Sequence, residues 1–600
     1  MNTNLASIIK AARGLIPCDL LLRGGKYLNV FTRRFVTGDL AIYQGMIVGI
    51  GERPAHKVVD ITGKYIVPGF IDGHVHLESS MLTPDQYAAA VIPRGTTGVV
   101  ADPHEYANVA GLEAIKYLER AAEILPLDIY IDVPSCVPAT DMEHAGASLS
   151  AADIALVKNL PHVIGLGEMM NYPGLLYGDQ SVYDKLEAWG KDAKNPHVDG
   201  HAPGLSGYDL QAYVAAGIAT DHECTSLAEA KEKLSLGMRI MIREGSVARD
   251  LEALAPLVEG PVFDRVLDRL LLVTDDREPE DLQADGHMDY LCRKAIQRGV
   301  YPAAAFIMAS WGVAQCFNLP KVGALAPGYR ANLAVLETAD ESFSQGFQVK
   351  QVYRDGLLLA QDGRCLLDMP AVPLGKMAGN SINLAEVTLD KLKVKTKAPG
   401  KHKVHVIGVT AGSIVSRHLK ETMEAQVYQH DGISEYEIKT DPHRDLLKVA
   451  VLERHQALGH IGLGFVHGFG LKGGAIASTV AHDSHNLVVV GDNDADMLVC
   501  IEEIKRLGGG LIVVSGGQVK AAMALPVCGL VSNQSLAKVA TSIANLYQEA
   551  DKLGSKLKRP FMSLAFMTLP VIPQLKLSDL GLVDVELFKF IDLAEMEEGL

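Results

Sequence analysis

Between about residues 70 and 323 the chain alternates short apolar runs with amphipathic stretches, and this order constrains the fold more than any other feature. Thr97-Gly98-Val99-Val100-Ala101, Ile129-Tyr130-Ile131-Asp132-Val133, Val163-Ile164-Gly165-Leu166-Gly167 and Leu271-Leu272-Val273-Thr274 read as strands buried on both faces of a parallel sheet. Helical periodicity falls between such runs, for instance around 110–122 and 226–236. Strand–helix units repeated over about 250 residues fit a (β/α)8 TIM-like barrel. Alternation alone leaves a doubly wound open sheet as the second arrangement.

The flanks read differently. Asp19–Lys26, Asp39–Tyr43 and Met46–Gly51 are short apolar runs punctuated by glycine, the pattern of hairpins. Similar runs recur at Ala331–Leu336 and Val349–Tyr353, so residues 1–69 and 324–380 are expected to form one small β-sandwich interrupted by the barrel at 70–323. Beyond 380 the pattern restarts, with strand-like Lys403–Val409 and Leu487–Gly491 and a helix at about 494–507. Residues 381–600 are read as a separate α/β domain, and a length of 600 suits two or three domains.

A net charge of −16 argues against a nucleic-acid or anionic-membrane surface, yet leaves room for a small neutral ligand. The eight cysteines contain no CxxC pair, which excludes a zinc ribbon, a thioredoxin-like motif and the His-x-Glu/Pro-Cys-x-x-Cys zinc deaminases. No apolar run approaches the roughly 18 residues of a membrane span, and the start lacks the apolar core of a signal peptide. A cytoplasmic enzyme is expected, and a homo-oligomer is the common arrangement for one of this size.

The chemistry gathers where the apolar runs end. In Pro68-Gly69-Phe70-Ile71-Asp72-Gly73-His74-Val75-His76 the two histidines stand at i and i+2 and so face one way on a strand, which makes half a metal site. Later runs end in Glu168, in His197-Val198-Asp199-Gly200-His201, in Thr220-Asp221-His222-Glu223 and in Asp275-Asp276. Singly, Glu168 reads as a solvated carboxylate, His201 as a turn residue and Asp275 as a helix cap. Jointly they follow successive strands in the order a barrel mouth requires.

These residues resemble those of the amidohydrolase superfamily, as does Leu325-Ala326-Pro327-Gly328-Tyr329-Arg330-Ala331-Asn332-Leu333, where Asn332 replaces a common aspartate with an expected structural effect only. His76-Leu77-Glu78-Ser79-Ser80-Met81, Ala101-Asp102-Pro103-His104-Glu105, Gly167-Glu168-Met169-Met170-Asn171, Met241-Ile242-Arg243-Glu244-Gly245 and Ala481-His482-Asp483-Ser484-His485-Asn486 narrow the resemblance to the adenine deaminase family.

The resemblance implies hydrolytic deamination of adenine at two divalent ions, Mn²⁺ or Fe²⁺ with Zn²⁺ also suitable. It implies His74, His76 and Asp275 on one ion, His201 and His222 on the other, and Glu168 between them. Asp275 is expected to move the proton of the attacking hydroxide, and Glu223 to protonate the neighbouring ring nitrogen. Asp102, His104 and Glu105 follow the strand ending in Ala101, and one of them is expected to contact the purine or to support a metal ligand from behind, with Asp102 and Glu105 the candidates for the purine. Arg94 is read as structural, His287 as a helix-cap or packing residue before a substrate one, and Asp276 as a carboxylate that caps a helix or supports a ligand from behind. His482 and His485 are taken as exposed polar residues, with reach into a neighbouring active site as the alternative. The glycines from 463 to 474 lack the phosphate-loop pattern. A cyclic amide hydrolase is the alternative activity on this scaffold, and a non-catalytic scaffold is disfavoured because all six ligand candidates are present.

Overall fold

The computed structural model describes residues 5–191, 194–258, 263–379, 381–430 and 433–596. Strands Phe70–Val75, Thr96–Ala101, Asp128–Val133, Val163–Met169 and Val198–Gly200 lie side by side in parallel. Thr220–Asp221, Arg239–Arg243 and Leu270–Val273 form a second parallel set. The two sets meet at both ends. Ala219 N donates to Val198 O at 3.0 Å, and Asp275 N donates to His74 O at 3.0 Å beside a Val75–Asp275 bridge. Eight parallel strands thus close on themselves, which decides the barrel over the open sheet. The helices expected near 110–122 and 226–236 are Leu112–Ile124 and Leu227–Ser235.

One end of the barrel is filled by apolar side chains. Ile71, Val100, Met241, Leu271 and Val273 pack there with Val313 and Phe317, which follow the last strand and plug that end. Each such side chain contributes about 1.5–3 kcal/mol by leaving water. The polar residues are thereby confined to the other end, where the strands finish.

The chain enters the barrel from a sandwich. Tyr65–Pro68 pairs antiparallel with Leu333–Glu337 and parallel with Lys26–Asn29, so the segments on either side of the barrel share a seven-stranded sheet. Gly69 is the crossing point: its N donates to Asn332 O at 2.9 Å. A Cβ there would lie 2.3 Å from Thr97 Oγ1, so the close approach needs glycine. Asn332 itself donates to Asp128 at 3.0 Å and accepts from Asp355 N at 2.9 Å, which ties the returning strand to the barrel.

Beyond 380, a large sheet is built from Gly400–Gly408, Arg417–His430, Leu447–Leu452, Ile461–His467, Leu487–Gly491 and their neighbours, with helix Asp494–Leu507 against it. This region sits on the rim of the barrel mouth. Ser532 N donates to Met81 O at 2.8 Å, Arg559 pairs with Glu278 and Asp281 at 2.7 Å each, and His144 Nδ1 lies 2.6 Å from Asp579. Those contacts reach the loops after the first, eighth and third strands. Among the described residues no helix is long and apolar enough to cross a membrane.

Candidate metal centre

Each histidine and carboxylate expected at the mouth is set there by the end of a strand. His74 lies on Phe70–Val75 and His76 just past it, both buried. Glu168 closes Val163–Met169, His201 follows Val198–Gly200, and His222 follows Thr220–Asp221. Asp275 follows Leu270–Val273 with φ of 56°, a left-handed turn that aspartate tolerates better than most residues.

The side chains converge on Glu168. Its Oε1 is 3.3 Å from His76 Nε2, 3.3 Å from His104 Nδ1 and 3.9 Å from His74 Nε2. Its Oε2 is 3.3 Å from His222 Nε2 and 2.5 Å from His201 Nδ1. Asp275 Oδ1 stands 3.2 Å from His76 Nε2 and 3.8 Å from His74 Nε2. The His74 and His222 rings stack at 4.2 Å.

Three observations test whether a cation suits this cluster. Two ligands about 2.1 Å from one tetrahedral ion stand about 3.4 Å apart, close to most of these separations. His74 Nε2 is buried with no hydrogen-bond partner, although it points at two carboxylates. His76 Nδ1 lies 2.9 Å from Asp102 O, the hydrogen bond that leaves Nε2 free to ligate. The field agrees. Burial alone would lower the His76 imidazole, but Asp275 and Glu168 raise it well above its ordinary value. Burial alone would raise the Glu168 carboxyl, but His201 and its neighbours hold it well below. The residues fit a divalent ion. On the His201 side, the 2.5 Å contact is a direct charge-assisted hydrogen bond rather than a pair of ligands on one ion.

Residues 65–359 match the amidohydrolase family, and residues 419–589 match the adenine deaminase C-terminal domain. The chain is 46% identical over 592 residues to a protein of Dehalococcoides mccartyi named adenine deaminase, covering 98% of this chain and 99% of that one. The chain belongs to the adenine deaminase family. A second relative of that name, from Desulfatibacillum aliphaticivorans, is 46% identical over 588 residues, with 98% of this chain and 99% of its own covered. A third, from Kosmotoga olearia, is 40% identical over 598 residues, with 99% and 100% covered. The amidohydrolase match implies a divalent metal, in keeping with the cluster at the mouth.

Around this family's barrel mouth lie residues to which sequence reasoning gave no role. Arg243, at the end of Arg239–Arg243, forms a fork on Glu223, with Nη2–Oε2 at 3.0 Å and a second contact from Nη1. Its Nη1 also reaches Asp275 Oδ2 at 2.9 Å and its Nε reaches Asp250 at 3.0 Å. Glu223 lies 3.4 Å from His222 and 3.7 Å from His201. Burial would raise its carboxyl, but Arg243 and His201 hold it well below the usual range, so Glu223 is a carboxylate here. Asp72 accepts from Thr274 N at 3.1 Å and lies 3.1 Å from His287, stapling the first strand to the last. The two ring nitrogens of His287 also meet the hydroxyls of Tyr87 at 2.9 Å and Thr96 at 2.8 Å.

Asp102 lies behind Glu168 and accepts from its backbone N at 3.0 Å. Arg94 donates to Gln283 O at 3.2 Å, and Asp276 meets Ser79 Oγ. His482 and His485 require a correction. Both are buried rather than exposed, and both face Glu105. The run Ala481–Asn486 is polar enough to read as surface, but its burial is set by a partner on the barrel that local sequence cannot reveal.

Proposed function

We infer that the protein hydrolyses adenine to hypoxanthine and ammonia at a centre of two divalent ions. The observation that carries this reading is Glu168, whose two oxygens face two different sets of imidazoles in a chain of this family. His74, His76 and Asp275 would hold one ion, His201 and His222 the other, with Glu168 shared; His201 would exchange its direct hydrogen bond to Glu168 for the ion. Imidazole and carboxylate donors suit Mn²⁺, Fe²⁺ and Zn²⁺. Such ions polarise the reacting centre and lower the proton affinity of water.

The reaction adds water oxygen to the ring carbon bearing the amine and breaks the bond from that carbon to nitrogen. Asp275 accepts a water proton at Oδ1, the oxygen facing His74 and His76, while Oδ2 stays on Arg243. It returns that proton to the departing ammonia. Glu223 is the candidate donor to the adjacent ring nitrogen. Arg243 holds it ionised beforehand, so it takes one proton from solvent as substrate binds, and the remaining water proton, released as the carbonyl forms, restores it. Asp102 we assign to orienting Glu168 rather than to the purine. The eight free cysteines support a reducing compartment, and we place the enzyme in the cytoplasm, in purine salvage.

The test is ammonia release from adenine by protein reconstituted with Mn²⁺, Fe²⁺ or Zn²⁺. Hypoxanthine and ammonia in equal amounts are expected. Protein holding two ions that leaves adenine intact but opens a cyclic amide would overturn the substrate and leave the centre standing.

A further inference from the structure

His482 and His485 belong to the segment between strands Ala475–Ser478 and Leu487–Gly491 of the C-terminal sheet, yet their rings are buried at 5% and 0% exposure against the barrel. His482 Nδ1 lies 2.7 Å from Glu105 Oε1, and Phe566 stacks on the same ring at 4.4 Å. His485 Nε2 contacts Glu105 Oε2. Glu105 Oε1 is in turn 3.3 Å from His104 Nε2, whose other ring nitrogen faces Glu168 Oε1 at 3.3 Å.

The hydrogen bonding of His485 settles what this cluster can do. Ala481 N donates to His485 Nδ1 at 3.1 Å, so the neutral ring carries its proton on Nε2, the atom aimed at Glu105. That nitrogen is a donor and has no lone pair for an ion. The Glu105–His482–His485 group is therefore not a further metal site, although its atoms lie close enough for one. His104 is placed the other way round. With a proton on Nε2 facing Glu105, its Nδ1 presents a lone pair towards Glu168 and the centre, and Nδ1 is buried with no hydrogen-bond partner. A carboxylate holding the far nitrogen of an imidazole whose near nitrogen faces a metal is the usual outer support of a ligand histidine.

We propose that His485 and His482 are positioning residues for the metal centre: they clamp Glu105, which orients His104 as a further imidazole on the Glu168 Oε1 side. The inference rests on the dinuclear reading above and deepens it, because it makes the C-terminal region part of the ion-holding apparatus.

The experiment measures ions per chain by mass spectrometry and Mn²⁺ affinity by chelator competition, on the full-length wild type, His485→Leu and His485→Gln. Wild-type protein that fails to hold two ions would defeat the dinuclear reading itself. Given two ions in the wild type, His485→Leu is expected to bind one of them about 10-fold to 100-fold more weakly. His485→Gln, which keeps an amide donor, is expected to bind nearly as the wild type does. Equal affinity in all three proteins would overturn the proposal and leave the centre intact. Equal weakening in Leu and Gln variants would also overturn it, since packing alone would then explain the loss. Should His485→Leu not fold, Glu105→Gln read in the same way serves instead, with the same weakening expected and unchanged affinity as the overturning result.

Discussion

Arg243 joins the two carboxylates expected to move protons, gripping Glu223 with its fork and Asp275 with one arm. A lysine offers a point charge and cannot span both. Arg243→Lys is therefore expected to lower kcat for adenine by at least about tenfold, with a smaller change in KM, because the carboxylates are still present but no longer held together. Steady-state ammonia release separates the two effects. Asp275→Asn removes the proton acceptor while Arg243 keeps Glu223 and Asp250. A fall in kcat of about 10²–10⁴-fold is expected, with an unchanged circular dichroism spectrum. Near-normal turnover in that variant would take Asp275 out of proton transfer. At this scale the six ligand candidates were proposed from their order along the chain, with His74, His76, Glu168 and Asp275 following apolar runs and His201 and His222 singled out as histidines. Arg243 was not legible as a clamp: it ends an ordinary strand, and its partners Glu223 and Asp275 come from other strands. The pairing of His485 with Glu105 was hidden for the same reason, since 380 residues separate them in the chain.

Among the elements, the crossing from sandwich to barrel is the tightest joint. A methyl group on Gly69 would meet Thr97 at 2.3–2.9 Å, and threonine in a strand has little freedom to turn away. Gly69→Ala is expected to cost about 1–3 kcal/mol, read as a lower melting temperature with ions bound. Another joint is the helix Pro279–Ala284, which packs against the C-terminal helix Leu536–Lys552. There burial, and then Glu278, push the Glu280 carboxyl up to about 7 from 4.5. The folded state thus holds a proton between pH 4.5 and 7 that the unfolded chain has released. This contribution to stability is complete below pH 4.5 and is lost as the pH rises through 7. Glu280→Gln is expected to flatten the decline in melting temperature over that window and to melt above the wild type at pH 8. A steeper decline in the variant would reverse the assignment. The long buried strands were readable from their apolar runs. Val198–Gly200 and Thr220–Asp221, at three and two residues, are too short to show a hydrophobic pattern and were located only through the histidines after them.

For the whole molecule, the C-terminal region and the barrel share one apolar cluster that runs from Val99 and Ile131 to Leu530 and Phe561. Ions bound at the mouth are therefore expected to stabilise more than the barrel. Stripping them with a chelator should remove about 2.7 kcal/mol for each ion held at a hundred times its dissociation constant. Calorimetry with and without Mn²⁺ checks this, and an unchanged melting temperature would mean that the ions leave the native state no more stable. The proposed division of the chain into three stretches rests on changes in pattern, but the seating of the third on the mouth could not be read, because interfaces such as Ser532 with Met81 leave no local signal. The sandwich carries a consequence for synthesis. Tyr65–Pro68 follows its parallel neighbour Lys26–Asn29 closely in the chain, but its antiparallel partner Leu333–Glu337 leaves the ribosome only 265 residues after Pro68. At roughly 5–20 residues per second this edge stays open for about 13–53 s in every round of translation. For that interval the nascent chain carries an unpaired strand that invites wrong partners, and the barrel must begin to form while its own anchor is half built.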